Sequence, residues 1–162
     1  MTYSIDLSRG FSTTIYMRFE GSFRINADRD KVWEFISNPS NVIQCVPGVQ
    51  DFSVQEGKRI AAKVKVKIGF ISGLFQAASK VLEEDPQNYH ARMELSGSGA
   101  GSGFKALVDL KLEEADGGTE LKWSADVSIS GPLGSLAKSM VEGYVKKMVD
   151  QLFDCVKRRL EG

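Results

Sequence analysis

Residues 133–160 read LGSLAKSMVEGYVKKMVDQLFDCVKRRL, and this stretch decides the architecture. Leu136, Ala137, Met140, Val141, Tyr144, Val145, Met148, Val149, Leu152, Phe153 and Val156 recur at steps of one and three. That spacing makes one broad apolar stripe on a long amphipathic helix. At roughly 1.5 Å per residue the helix spans about 42 Å, enough to cross a whole sheet. Gly131-Pro132 suits its start, where a missing N–H costs nothing, and Lys157, Arg158 and Arg159 suit its negative C-terminal pole.

Upstream of that helix the period falls to two. Strands are predicted at 16–25, 49–55, 59–70, 74–84, 89–96, 104–114 and 119–130, broken at Glu56-Gly57-Lys58, Asp85-Pro86, Gly97 to Gly103 and Asp116-Gly117-Gly118. In 59–70, Ile60, Ala62, Val64, Val66, Ile68 and Phe70 share one face, and Arg59, Lys63, Lys65 and Lys67 share the other. Short connections imply antiparallel neighbours and hence a meander. Between the first two strands, Asn26 or Asp28 caps a short helix through Ser37 carrying Val32, Trp33, Phe35 and Ile36. Asn38-Pro39 ends it, and Ser40 caps a second turn of helix that runs up to Pro47-Gly48. Residues 1–15 show no sustained period and are expected to form a flexible extension to a single domain at 16–162. The fold class is therefore α+β: a seven-stranded curved antiparallel sheet around a long C-terminal helix, with two short helices after strand one.

Composition agrees with one soluble globular domain. The chain has 162 residues, 42% hydrophobic, with 21 Lys+Arg against 21 Asp+Glu. A chain of this length buries roughly 70% of its unfolded surface without staples. Zero net charge speaks against a nucleic-acid partner, which would call for a concentrated Lys/Arg excess. Cys45 and Cys155 lie far apart in no C-x-x-C arrangement, which fits a reducing compartment holding both as buried free thiols, although their spacing leaves a pairing open. No apolar run approaches the roughly 18 residues of a spanning helix, and the N-terminus lacks a basic leader. A cytoplasmic protein is expected, and with the chain stopping at Gly162 no membrane anchor is expected either.

A bent sheet gripping one helix leaves a gap suited to an apolar cavity. The expected lining is Val64, Val66, Phe70, Phe75, Met93, Leu95, Phe104, Val108, Leu110, Trp123 and Val127 from the sheet, facing Met140, Tyr144 and Met148 from the helix. A small apolar molecule is the ligand this implies. The plainer alternative is that the same residues pack against one another and hold nothing. Methionines suit both readings, since they fill irregular gaps and adapt to varied partners.

Several short runs carry a family resemblance: Phe19-Glu20-Gly21-Ser22-Phe23, Val32-Trp33, Asn38-Pro39, Cys45-Val46-Pro47-Gly48, Lys67-Ile68-Gly69, Gly97 to Gly103, Gly118-Thr119-Glu120-Leu121 and Ser130-Gly131-Pro132-Leu133. In this order, across residues 17–160, they resemble the carbon monoxide dehydrogenase G-subunit family of the START-like (SRPBCC) helix-grip superfamily. The resemblance implies a non-catalytic accessory protein of a molybdenum-containing carbon monoxide dehydrogenase or related hydroxylase. Such a protein acts in assembly, membrane recruitment or electron transfer to quinone, and its cavity holds a quinone- or lipid-like ligand. Many members carry a C-terminal membrane tether; its absence here shifts the expectation to a soluble carrier or maturation factor, with peripheral membrane contact at most.

Catalytic signatures are lacking. His90 is the only histidine, and alternation places it beside Arg92 and Glu94 on the outer face with no nucleophile as partner. One histidine and two distant cysteines give no zinc spacing, so no metal or other cofactor is expected. The glycine stretch from Gly97 lacks the Lys-Ser/Thr ending of a phosphate cradle. It reads as a flexible or closely approached connection, with a flap over the cavity as the functional alternative. The acidic runs Glu83-Glu84-Asp85 and Glu113-Glu114-Asp116 read as solvated rims. Lys63, Lys65 and Lys67, with Lys58 and Arg59, either keep an exposed strand soluble or dock an acidic partner or anionic headgroups. Cys45, beside Pro47-Gly48, reads as part of a structural turn bordering the cavity entrance. Three hypotheses follow: a ligand-binding accessory protein, an interaction or maturation factor without a ligand, and a helix-grip enzyme needing a polar cavity residue, for which Tyr144 and Asp126 are the candidates.

Overall fold

The structure, a computed structural model, describes residues 3–6 and 14–162, the first four as backbone alone. Strands β1 (Tyr3–Asp6) and β2 (Thr14–Ile25) precede helices α1 (Arg29–Ile36) and α2 (Pro39–Ile43). The meander β3 (Val49–Gln55), β4 (Arg59–Ile68), β5 (Ile71–Asp85), β6 (His90–Gly99), β7 (Ser102–Ala115) and β8 (Gly118–Ser130) follows, and α3 (Lys138–Glu161) closes the chain. One antiparallel sheet has the order β1-β2-β8-β7-β6-β5-β4-β3, so β2 pairs back onto β8 and the two short helices carry the chain from there to the far edge. The α+β helix-grip expectation holds. Its strand count rises from seven to eight, because residues 3–6, inside the stretch expected to be an extension, pair with β2 from Tyr3↔Met17 to Asp6↔Thr14.

Helix boundaries follow local chemistry. The Asn38 side chain accepts a hydrogen bond from Ser40 N at 3.1 Å and opens α2, with Pro39 in its first turn. α3 starts five residues later than the apolar period suggests. Residues 131–135 form a tighter 3-10 turn, Leu136 is extended, and Leu133 N donates to the buried Ser102 Oγ at 2.9 Å. With 24 residues α3 is about 36 Å long rather than about 42 Å.

The glycine-rich run is not a flap. Gly97 and Gly99 belong to β6 and Ser102-Gly103 to β7, leaving Ala100 and Gly101 as the turn, both at positive φ. Glycine is required on the strand by close approach: a Cβ at Gly97 would collide with the Phe104 ring, and one at Gly99 would come within 2.7 Å of Phe75 Cδ1. Phe70 also departs from expectation. Ile68 pairs with Ile71, so Gly69 (φ 60°) and Phe70 are the two-residue turn of the β4–β5 hairpin, and alternation stops before Phe70.

Cys45 and Cys155 are bonded, with Cα atoms 5.5 Å apart, and are not free thiols. The fold brings the exit of α2 against the C-terminal half of α3, a proximity that a separation of 110 residues hides in the sequence. The cysteines therefore no longer speak for a reducing compartment. No helix among the described residues is long and apolar enough to cross a membrane.

Two buried clusters hold α3 to the concave face. One gathers Met17, Phe19, Ile68, Ile71, Phe75, Ile129, Leu136 and Val141 at the start of the helix. The other gathers Ile25, Val32, Cys45, Leu112, Leu121, Phe153, Val156 and Leu160 at its end, where Phe153 stacks on Phe23 at 4.3 Å. Fully buried Thr119 adds a polar tie, its Oγ1 donating to Ala27 O at 2.7 Å and fixing β8 to the link before α1. Thr119→Val keeps the shape and orphans that carbonyl, so it should lower the unfolding free energy by about 1–2 kcal/mol in a urea titration. An unchanged midpoint would show that the bond contributes nothing.

Candidate ligand-binding site

Register fixes which side chains face α3. Across the lines Val64↔Phe75, Ala77↔Gly97↔Phe104↔Ile129↔Ile15 and Met93↔Val108↔Ala125↔Phe19, even positions of β4 and β7 share the concave face with odd positions of β5, β6, β8 and β2. Along 60–68, 71–81, 93–99, 102–112, 119–129 and 15–25 that face offers only Ser79, Ser102, Thr119 and Trp123 as polar side chains, none of which titrates near neutrality. Tyr144 of α3 adds a half-buried phenol whose pKa is raised by desolvation, which keeps it neutral. Asp126 faces outward, paired with Arg18 at 3.0 Å, and is not a cavity residue. A surface of this kind has no general acid or base to offer; it can hold apolar groups.

The expected lining residues divide into four groups. Phe75 is buried in the first cluster, and Val66, Phe104, Trp123, Val127 and Tyr144 pack against it half-buried. Leu110 and again Trp123 pack against the second. Val64, Met93, Leu95, Val108 and Met148 belong to neither cluster; the first four occupy the middle of the sheet's inner surface, Met148 lies midway along α3, and all five are only half-buried. Phe70 and Met140 lie outside the site, 82% and 43% exposed, because the hairpin turn and the first turn of α3 meet solvent. Alternation also places Ala77, Ser79 and Val81 on the concave face, a consequence of the strand pattern that the expected lining omitted.

Trp123 bridges both clusters. Its Nε1 is buried without a hydrogen-bond partner, and it lies 3.0 Å from where a Cβ at Gly21 would stand, so bare glycine backbone makes room for the indole. An unmet donor in an apolar surround is costly.

Two open depressions lie elsewhere on the surface. One, of about 670 Å³, crosses the outer face over the small side chains Ser53, Ala61, Ala78 and Ser96, which share a register line. The other, of about 680 Å³, surrounds His90. There His90 Nε2 meets Asp109 Oδ1 at 2.5 Å, Arg29 lies 3.8 Å above the Tyr89 ring, and Tyr89 OH donates to Asp30 at 2.5 Å. That hydrogen bond raises the Tyr89 pKa. His90 is outward as expected, and the paired charges around it read as a structural network. No group of three or more metal-ligating side chains occurs among the described residues.

Residues 21–161 match the family model described as the G subunit of carbon monoxide dehydrogenase (CoxG). The chain belongs to the CoxG family. Solved structures with the same fold include a conserved protein from Geobacillus kaustophilus (TM-score 0.82, 18% identity, 90% of this chain and 95% of that one). A START superfamily protein from Mycobacterium smegmatis matches at TM-score 0.66 and 15% identity, over 89% and 97% of the two chains. The Zhui aromatase/cyclase from Streptomyces sp. R1128 matches at 0.64 and 12%, over 90% and 94%. Comparison with curated protein sequences found no match. The CoxG family and the START-like fold indicate a ligand-binding accessory protein, while the cyclase shows that the same scaffold also hosts an enzyme.

Proposed function

We propose that this CoxG-family chain is a non-catalytic, cytoplasmic carrier whose single domain, to which β1 adds an edge strand ahead of residues 16–162, holds a quinone- or lipid-like molecule between α3 and the middle of the concave sheet. It would serve a molybdenum-containing carbon monoxide dehydrogenase or related hydroxylase, the role its family name suggests. The single observation supporting this is the set Val64, Met93, Leu95, Val108 and Met148. These are apolar side chains, four on the inward face of the gripped sheet and Met148 on α3, that neither core cluster absorbs. The buried, unpartnered Trp123 Nε1 supplies a donor that a ligand carbonyl would satisfy. The absence of titratable side chains along the central stretches of the inner face favours binding over catalysis. The exposed Lys63, Lys65 and Lys67 are the surface we assign to an acidic partner enzyme.

Native mass spectrometry of the purified chain, with thermal shifts against a short-chain quinone and oleate, tests the reading. A bound apolar mass, or a midpoint raised by several degrees at ligand concentrations about a hundredfold above Kd, is expected. An empty protein that neither compound stabilises refutes the carrier and leaves a maturation factor that works by protein contact alone.

A further inference from the structure

The sheet ends on β3 at one side, so a row of β3 backbone N–H and C=O groups has no strand beyond it among the described residues. Edges of this kind pair with further chains unless a lysine, a proline or a bulge blunts them. β3 contains no Lys, Arg or Pro. Its bulge lies at the start, between Val49 and Asp51, and leaves Asp51 to Gln55 in unbroken register with Lys63 to Arg59. The apolar layer of the concave face also runs on to this edge. Phe52 and Val54 lie opposite the buried Ala62 and Ile60, yet they are 37% and 47% exposed and belong to neither core cluster.

These five residues are complementary to themselves. Two copies paired antiparallel about a two-fold axis at Ser53 set Phe52 against the second copy's Val54, Asp51 against its Gln55, and Ser53 against Ser53. The aromatic–aliphatic pair then occurs twice and covers apolar surface that a single chain leaves in water. Asp51 is the single charge on β3, and it meets no copy of itself. The row on the outer face becomes Arg59, Gln55, then the second copy's Asp51 and Lys63, which sets an acid between two bases. In the single chain Asp51, Arg59 and Lys63 have no ion-pair partner among the described residues. The other edge offers no such closure. β1 has four residues, and pairing it with a neighbour's β3 is head-to-tail, which leaves free edges at both ends and builds open filaments.

We infer that two copies of this chain pair through β3, residues 51–55 against 51–55, joining their sheets edge to edge. Opposed residues share a face, so both concave surfaces open to the same side, and the outer troughs over Ser53 and Ala61 run into one another. The inference does not rest on the carrier reading, since it uses only the strand edge.

Sedimentation equilibrium of the full chain should show a reversible rise from 17.8 kDa to twice that mass as concentration passes through the micromolar range, the strength of a small interface. Val54→Lys sets a lysine against Phe52 on both sides of the axis and should weaken the dimer about tenfold or more. Leu74→Lys, the same kind of change at an exposed position on β5, should leave it within about twofold. Register has its own test, which does not depend on the lysine variant folding. Mild oxidation should cross-link Ser53→Cys, whose two Cβ atoms face each other at about 5 Å, and should leave Gln55→Cys single, with its copies about 14 Å apart. Amide exchange at 51–55 should slow as concentration rises. A chain that stays at 17.8 kDa at hundreds of micromolar overturns the proposal, as does a dimer indifferent to Val54→Lys or equal cross-linking of the two cysteine variants. So do masses that grow past the dimer, or protection of 51–55 that ignores concentration, which would mean that β3 is already covered.

Discussion

Reduction of the Cys45–Cys155 bond is expected to lower the unfolding free energy by about 4–5 kcal/mol. The two cysteines are 110 residues apart, so the cross-link removes a large loop from the unfolded ensemble, and the chain-entropy relation for a loop of that length gives this magnitude. Native packing adds a reason for the loss to be felt. Cys45 is buried in the cluster that fixes the end of α3 to Ile25, Leu112 and Leu121, and α2 is a five-residue helix with no buried residue of its own. Without the bond, the link from β2 to β3 is held by α1 and by lighter ties such as Arg159 to Gln44 at 3.2 Å. Guanidinium titrations of the oxidised chain, the dithiothreitol-treated chain and the Cys45→Ala/Cys155→Ala variant should show both bond-free forms with lower midpoints. Both should also have steeper slopes, because the unfolded chain expands. Coincident curves for all three would mean that the bond does not constrain the unfolded chain. Thiol alkylation directly after lysis adds the compartment test: a reduced pair agrees with the proposed cytoplasmic location, and an oxidised pair speaks against it.

What could be read from the sequence was whatever repeats. Alternation in β4 and β8 and the apolar stripe of α3 each involve many residues, so their faces survived errors of several residues at the ends. Features set by a single contact were not legible. Phe70 continues the alternation of Ile60 to Ile68 in the sequence, and only the two-residue turn made by the Ile68↔Ile71 pair removes it from the inner face. Gly97 and Gly99 look like loop residues until the rings of Phe104 and Phe75 are seen to occupy the space of their missing side chains. The Cys45–Cys155 pair depends on how α2 is laid against α3, which no local pattern records. The same limit applies to the candidate site. Alternation identified Val64, Met93, Leu95 and Val108 as inward-facing, but whether an inward residue is packed or left open depends on where a helix rests on a curved sheet.

Two leucines on the same face separate those outcomes. Leu121 is fully buried between β2 and the end of α3, so Leu121→Ala should cost about 3–4 kcal/mol through lost transfer energy and a cavity that its neighbours cannot refill. Leu95 is half-buried and in neither cluster, so Leu95→Ala should cost about 1 kcal/mol or less, since few contacts are lost. The reverse change separates open space from a merely soft core. Leu95→Trp adds a large ring to the middle of the concave face; with room available it should shift stability by less than about 1 kcal/mol, whereas overpacking a filled core costs about 1–3 kcal/mol. The same variant should bind a quinone or fatty acid at least tenfold more weakly, because the indole occupies the volume the ligand needs. If Leu95→Trp unfolds as readily as Leu121→Ala, the inner face is closed against α3 and the carrier reading is wrong. If it is stable and binds as before, the ligand sits elsewhere, and the outer trough over Ala61 and Ala78 becomes the place to test next.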